Sequence, residues 1–154
     1  MARPVELTTL VGAPAATVFD LELDMDVHTA SMGRSGETAT TSSGRRRLGL
    51  GDEVTLRARH LGLTWTLTSR VTEHERPYRF VDEQTRGPFR RMHHEHLFEE
   101  VGPGLTRMTD RMTATLPWGI AGAAVERLVL RPYLRRLLRQ RAAHVKQTAE
   151  STPT

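Results

Sequence analysis

With 154 residues, 26% charged and 38% apolar side chains and a formal net charge of +4, the chain has the size and balance of one folded domain, which argues against disorder. It has no cysteine, which excludes disulfides, thiolate metal sites and a thiol nucleophile. No apolar run reaches the length of a bilayer span, and MARPVELTTL lacks a signal peptide's plan, so a cytoplasmic protein without membrane insertion is expected.

Residues Pro4 to Val11 alternate and predict a first strand, ended by Gly12 and Pro14. Val18, Phe19, Leu21, Leu23 and Met25 then supply a short helical apolar face, with Asp20, Glu22, Asp24 and Asp26 expected outside it. The stretch from Met32 to Gly51 is rich in Gly, Ser, Thr and Arg, and TATTSS fits a polar-surfaced strand or a loop equally well. Strand patterns resume at Val54–His60, Leu63–Val71, Tyr78–Arg86, Phe89–Val101 and Leu105–Leu116, separated by turn signals near Gly62, Pro77, Gly87–Pro88 and Gly102–Gly104. Short connections between consecutive strands predict an antiparallel meander.

After Pro117 the pattern turns helical, but its apolar stripe shifts. Ala121, Ala124, Val125 and Leu128 lie on one face, and Leu134, Leu137, Leu138 and Val145 on another. Pro132 sits between them, so two helical pieces meeting at a kink are expected. One domain over residues 1–148 with a disordered tail over 149–154 completes the reading. Arg127, Arg131, Arg135 and Arg139 recur every fourth residue and are expected to form a solvated face.

This order of elements matches the helix-grip fold, an α+β architecture. The positions Phe80, Asp82, Gln84, Gly87, Pro88 and Phe89, then His94, His96 and Phe98, then Gly104, Thr106 and Asp110, and finally Pro117 resemble a small bacterial branch of the SRPBCC superfamily, the START-like and polyketide cyclase/dehydrase-like proteins. The resemblance implies a curved antiparallel sheet of about six or seven strands wrapped on a long, kinked C-terminal helix. It also implies a cavity between them for an apolar or aromatic small molecule; only some relatives are enzymes.

The last hairpin gives the most specific expectation. A turn centred on Gly102–Gly104 places His96 opposite Asp110, His94 opposite Met112 and Phe98 opposite Met108. The face carrying these residues is the apolar one and should be concave. The other face carries Arg91, Glu95, Glu99, Arg107 and Arg111 and suits solvent. Candidate ligand-binding residues are Trp65, Leu67, Phe80, Asp82, Met92, His94, His96, Phe98, Met108, Asp110 and Met112. Gln84 shares the inward parity of Asp82 and could extend a polar network.

A His–Asp pair in such a cavity has three readings: mutual satisfaction of two buried polar groups, a polar anchor for ligand, or an acid–base pair in which His96, Asp110 and His94 move protons. Alternate histidines on one strand are commoner without a metal than with one, and His93 points away from His94, so no metal or cofactor is assigned. The leading function is binding of a small hydrophobic or aromatic molecule. The rivals are a cyclase, aromatase or dehydratase, and a macromolecular adaptor working through the arginine face. Arginines and acids are interspersed through mid-chain, so no nucleic-acid partner is expected, and the protein is read as a monomer or homodimer.

Overall fold

The computed structural model of the chain describes residues 3–151. Strand β1 (Val5–Val11) leads into helices α1 (Ala15–Glu22) and α2 (Met25–Ser31) and a 3-10 turn. Six strands follow: β2 (Thr38–Thr41), β3 (Glu53–His60), β4 (Leu63–Glu75), β5 (Arg79–Arg86), β6 (Arg91–Gly102) and β7 (Leu105–Thr115). The chain closes with α3 (Gly119–Val125), a π-helical turn over Glu126–Leu130 and α4 (Arg131–Ser151). All strand pairs are antiparallel, in the order β1-β7-β6-β5-β4-β3-β2. The expected helix-grip architecture is present.

The undecided stretch resolves into both alternatives. Thr38–Thr41 pairs with β3 as an edge strand, and the residues after it form a loop tied to Leu23 and Met25 by backbone hydrogen bonds. The β3–β4 hairpin turns through Leu61 and Gly62, both at positive φ (54° and 76°), the conformation that tight two-residue hairpins require. At the β5–β6 turn Gly87 is needed for a different reason. A Cβ there would lie 2.4 Å from Gln84 Oε1 and 2.6 Å from Leu67. Gln84 accepts from the Phe89 N–H and donates to its carbonyl, so it locks this turn rather than joining an interior network, contrary to expectation.

Two acids expected outside lie inside. Asp24 is the N-cap of α2, accepting from the N–H groups of Asp26 and Val27. Glu22 ends α1 fully buried, turned towards Arg141 on α4 and His96 on β6. Helix periodicity placed it with its solvated neighbours because the partners lie 74 and 119 residues further along.

One end of the grip is filled solid. Phe19 of α1 packs edge-on against Phe80 and Phe98 at 5.4 and 5.3 Å, with Val54, Val71, Met108, Ala142 and Val145 around them. The core continues to Ala149, so α4 remains ordered and packed where a tail was expected; Thr152–Thr154 of that tail lie outside the described residues. β1, the exposed edge of the sheet, is covered by α4. Arg131 donates to the carbonyls of Arg3 and Pro4, Arg135 to that of Glu6 and Lys146 to that of Leu10. Arg131 and Arg135 therefore close the edge instead of standing on a free solvated face.

Around the expected kink the C-terminal helix runs on without a gap from Gly119 to Ser151. Pro132 is the second residue of α4, and the preceding turn widens into the π form. The piece before it differs from expectation: in α3 only Gly122 is buried, and Ala121 and Ala124 face outwards.

Phe19→Ala removes the ring at the centre of the filled end. Unfolding free energy, measured by urea denaturation, is expected to fall by about 3–5 kcal/mol. A loss below about 1 kcal/mol would show that this cluster does not carry the core.

Candidate functional site

The other end of the grip is open. A cavity of about 540 Å³ lies between the sheet and α4, and its extent can be read strand by strand. On β3 Leu56 and Ala58 line it while Val54 belongs to the core; on β4 Leu67 and Ser69 line it while Val71 is core. Asp82 on β5, Met92 and His94 on β6 and Met112 on β7 also face it. On α4, Tyr133, Leu134, Leu137, Leu138 and Arg141 line it, and Ala142, Val145 and Ala149 are core.

The sequence-derived candidates therefore divide. Trp65, Leu67, Asp82, Met92, His94 and Met112 line the cavity. Phe80, Phe98 and Met108 do not; they are core side chains 1–3% exposed. His96 and Asp110 also lie beneath the floor, 1% and 3% exposed. The cross-strand register is as expected, with His96 opposite Asp110, His94 opposite Met112 and Phe98 opposite Met108. Parity correctly assigned the concave face but could not tell how far along it the helix closes down.

The floor is a buried polar cluster drawn from five elements. His96 Nε2 lies 2.8 Å from Asp82 Oδ2, its Nδ1 lies 3.2 Å from Asp110 Oδ1, and Phe80 stacks on its ring at 4.0 Å. His94 Nε2 lies 3.0 Å from the same Asp110 oxygen. Glu22 stands 3.6 Å from His96 Nδ1 and 2.7 Å from Arg141, whose guanidinium also donates to the Glu22 carbonyl. The His28–Glu37 pair, 2.7 Å apart, lines the cavity beside this floor, and His28 Nδ1 has no partner among the described residues.

These surroundings drive the two floor histidines in opposite directions. Burial works against a proton on His96, but Asp110 and Asp82 outweigh it and raise its pKa to about 9. Burial and the adjacent His96 charge together lower His94, despite its bond to Asp110. Asp82 is held down to about 2, because burial, which works the other way, is overcome by the hydrogen bond from His96 and the charges around it. Glu22 is pushed up by burial, and Arg141 only partly offsets this. At neutral pH the floor thus presents a carboxylate at Asp82, a neutral imidazole at His94 and a guanidinium at Arg141.

Two triads, Asp82–His94–His96 and Glu22–His96–Asp110, bring potential ligand atoms within 4.8 Å of one another. Both run through His96, so a divalent ion there would have to displace a proton held to about pH 9.

Arg141, on the helix facing the sheet, stands at the floor. Sequence reasoning missed His28, Glu37, Leu134, Leu137 and Leu138 as wall residues. The apolar stripe at Leu134, Leu137 and Leu138 was the available signal for the last three. His60 and Tyr133, joined at 2.7 Å between Nδ1 and the phenol oxygen, sit on the same wall, and the His60 carbonyl accepts from the Trp65 indole.

A sheet gripping a helix over an apolar cavity with a charged floor defines a ligand-cavity protein of the helix-grip class. The chain matches, over residues 3–150, the family described as polyketide cyclase / dehydrase and lipid transport, and it belongs to that family. Similar solved structures include TTHA0849 from Thermus thermophilus, 20% identical with a TM-score of 0.75 over 97% of this chain and 99% of that one. The Zhui aromatase/cyclase from Streptomyces sp. R1128 is 19% identical with a TM-score of 0.69, covering 98% of each chain. A START superfamily protein from Mycobacterium smegmatis is 15% identical with a TM-score of 0.68, over 96% of this chain and 97% of that one. No curated protein matches the sequence.

The pKa directions fix a pH dependence. His96 is raised above its unfolded value of 6.5, so its contribution is complete below pH 6.5 and is lost as pH rises through about 9. His94 and His28 are lowered and act oppositely, withdrawing stability as pH falls below 6.5. Denaturation at stepped pH should show stability falling by on the order of 3 kcal/mol between pH 6.5 and 9.5. In His96→Gln this alkaline slope should be absent; an unchanged slope would remove His96 as its source.

Proposed function

We propose that the chain binds a small, flat, mostly apolar molecule in this cavity, with the polar end of the molecule on Asp82, His94 and Arg141. The observation that carries this reading is the shape and polarity of the space. It has a volume typical of small-molecule sites, walls rich in Leu, Met and Trp, and Asp82, His94 and Arg141 together at its floor. Asp82 would accept from a hydroxyl or N–H, and Arg141 would donate to a carbonyl or oxyanion, which together fix the ligand's orientation.

One observation favours a second reading, proton transfer on a polyketide-like substrate. His94 is the neutral imidazole that lines the cavity, and a buried carboxylate, Asp110, holds its Nε2. A neutral imidazole oriented by a carboxylate is suited to take up a proton. In this reading His94 would be the group that meets substrate, Asp110 its positioning residue and His96 a sealed counter-charge. The adaptor reading loses support, since Arg131 and Arg135 are engaged with β1 and the residues before it.

Ala58→Trp places an indole in the cavity from β3, where space exists to receive it. An environment-sensitive hydrophobic dye should bind the native protein near one-to-one and be displaced by a flat aromatic, and this variant should lose that binding with its melting temperature retained. Dye binding undiminished in Ala58→Trp would place the ligand elsewhere. His94→Ala should retain dye binding; if a substrate is turned over, the same change should abolish kcat with little effect on affinity.

A further inference from the structure

The mouth of the cavity carries an unusual concentration of exposed apolar side chains. Trp118 is 62% exposed, Ile120 92%, Leu128 74% and Val129 46%, all within one short stretch that includes α3 and the π turn. Leu61, 65% exposed at the tip of the β3–β4 hairpin, shares the cavity rim with Trp118, Val125 and Val129. Scattered surface leucines need no explanation, but so many exposed apolar residues in one stretch beside an opening do; Trp118, Val125 and Val129 line the cavity, and Ile120 and Leu128 stand outside its lining. Leu61 also holds φ at 54°, a conformation that Asn, Asp or Gly adopts at less cost. The chain thus keeps a large apolar residue at a position where backbone geometry favours a small polar one.

The surroundings of the patch are basic. Arg90 and Arg91 border the same surface depression as Gly119 and Ala123 of α3, and Arg127 lies within the π turn beside Leu128. None of these three guanidiniums has a hydrogen-bond or ion-pair partner among the described residues, whereas Arg79, Arg107 and Arg111 on the sheet are paired with Glu95, Glu99 and Glu6. Glu126, the acid of this stretch, accepts from the Leu116 N–H and lines the same depression as Arg90 and Arg91, which leaves an excess of positive charge there.

We propose that this rim is a docking surface for an anionic membrane, with Trp118, Ile120 and Leu128 entering the interfacial region and Arg90, Arg91 and Arg127 meeting lipid phosphates. Aromatic and aliphatic side chains beside unpaired arginines are the composition by which surface-lying segments hold to anionic bilayers. A second copy of the chain fits less well, because a two-fold contact through this patch would bring three unpaired arginines against their own equivalents. The cavity opens within the docked face, so an apolar ligand could pass between bilayer and cavity without crossing water. That consequence rests on the ligand-binding reading; the docking itself does not.

Flotation with vesicles of phosphatidylcholine, with and without phosphatidylglycerol, tests this. The native protein should float with the anionic vesicles and be released by salt, and in a Trp65→Phe background the Trp118 emission should shift to the blue. Arg90→Ser with Arg91→Ser should lower partitioning about thirty-fold, the effect of removing two basic residues from an anionic surface. Ile120→Asp with Leu128→Asp should abolish flotation while melting temperature and dye binding in the cavity stay at native values. No flotation of the native protein, or flotation that survives Ile120→Asp with Leu128→Asp, would overturn the proposal. So would a dimer, by sedimentation velocity, that this double variant splits. Loss of docking with dye binding intact would leave the ligand reading standing, and loss of dye binding in native protein that still docks would remove only that reading.

Discussion

A single buried ionic chain holds the grip in place: Arg141 on α4, Glu22 on α1, His96 on β6, and Asp110 and Asp82 on the strands either side. Taking five ionisable groups out of water carries a large desolvation cost, recovered only if each finds partners in good geometry. Each group here sits on a different element, so helix and sheet have essentially one relative position in which these ion pairs form, although among the described residues the Glu22 carboxylate oxygens and His96 Nδ1 gain no hydrogen-bond partner. Hydrophobic burial drives the two layers together without a preferred register; the charge cluster supplies one. That placement also fixes where the molecule is filled and where it is hollow. Aromatic and aliphatic residues occupy the space on one side of the cluster, and on the other side α4 and the sheet stay apart.

The hollow end needs its own support, since few side chains cross it. Part of that support comes from the sheet edge. Arg131, Arg135 and Lys146 each donate to a carbonyl of β1 or of the residues before it, and Glu150 accepts from the Gly12 N–H. These contacts run most of the length of α4 along an otherwise unpaired strand, so the helix is held at the rim even where nothing fills the space beneath it. The same contacts hide a row of free carbonyls that would otherwise invite another chain to pair. Beyond Arg131 they cease, the helix passes through its π turn, and α3 leaves the body with only Gly122 buried.

Much of this was legible in the sequence, and what was not has a physical reason. Strand parity and the Gly102–Gly104 turn were enough to put His96 opposite Asp110, because a hairpin's register is local information. Parity also assigned the concave face. It could not distinguish Met92 and His94, which meet the cavity, from Phe98, which lies in the core further along the same strand. That distinction depends on where α4 crosses the sheet, a contact between residues far apart in sequence. Glu22 failed for the same reason: in its helix it resembles Asp20, which does pair outside with Arg76, and only Arg141 and His96 draw it inward. Ala121 and Ala124 were misplaced because an apolar stripe normally means a buried face, and here the stripe stays exposed.

His94 and His96 show how one strand can supply two chemistries. They are two residues apart, their rings 3.8 Å from each other, and both touch Asp110. His96 has a second carboxylate, Asp82, and so keeps its proton; its charge is then the neighbour that, with burial, makes a proton on His94 unfavourable. The charged imidazole is sealed under Phe80, and the neutral one lines the cavity. Exchanging those positions would put a fixed cation against an apolar ligand and leave the carboxylates beneath the floor without a counter-charge. The arrangement present does the reverse. The cationic partner needed for structural pairing is kept out of the cavity, and the neutral His94, its Nε2–H donated to Asp110, is left with Nδ1 as an acceptor.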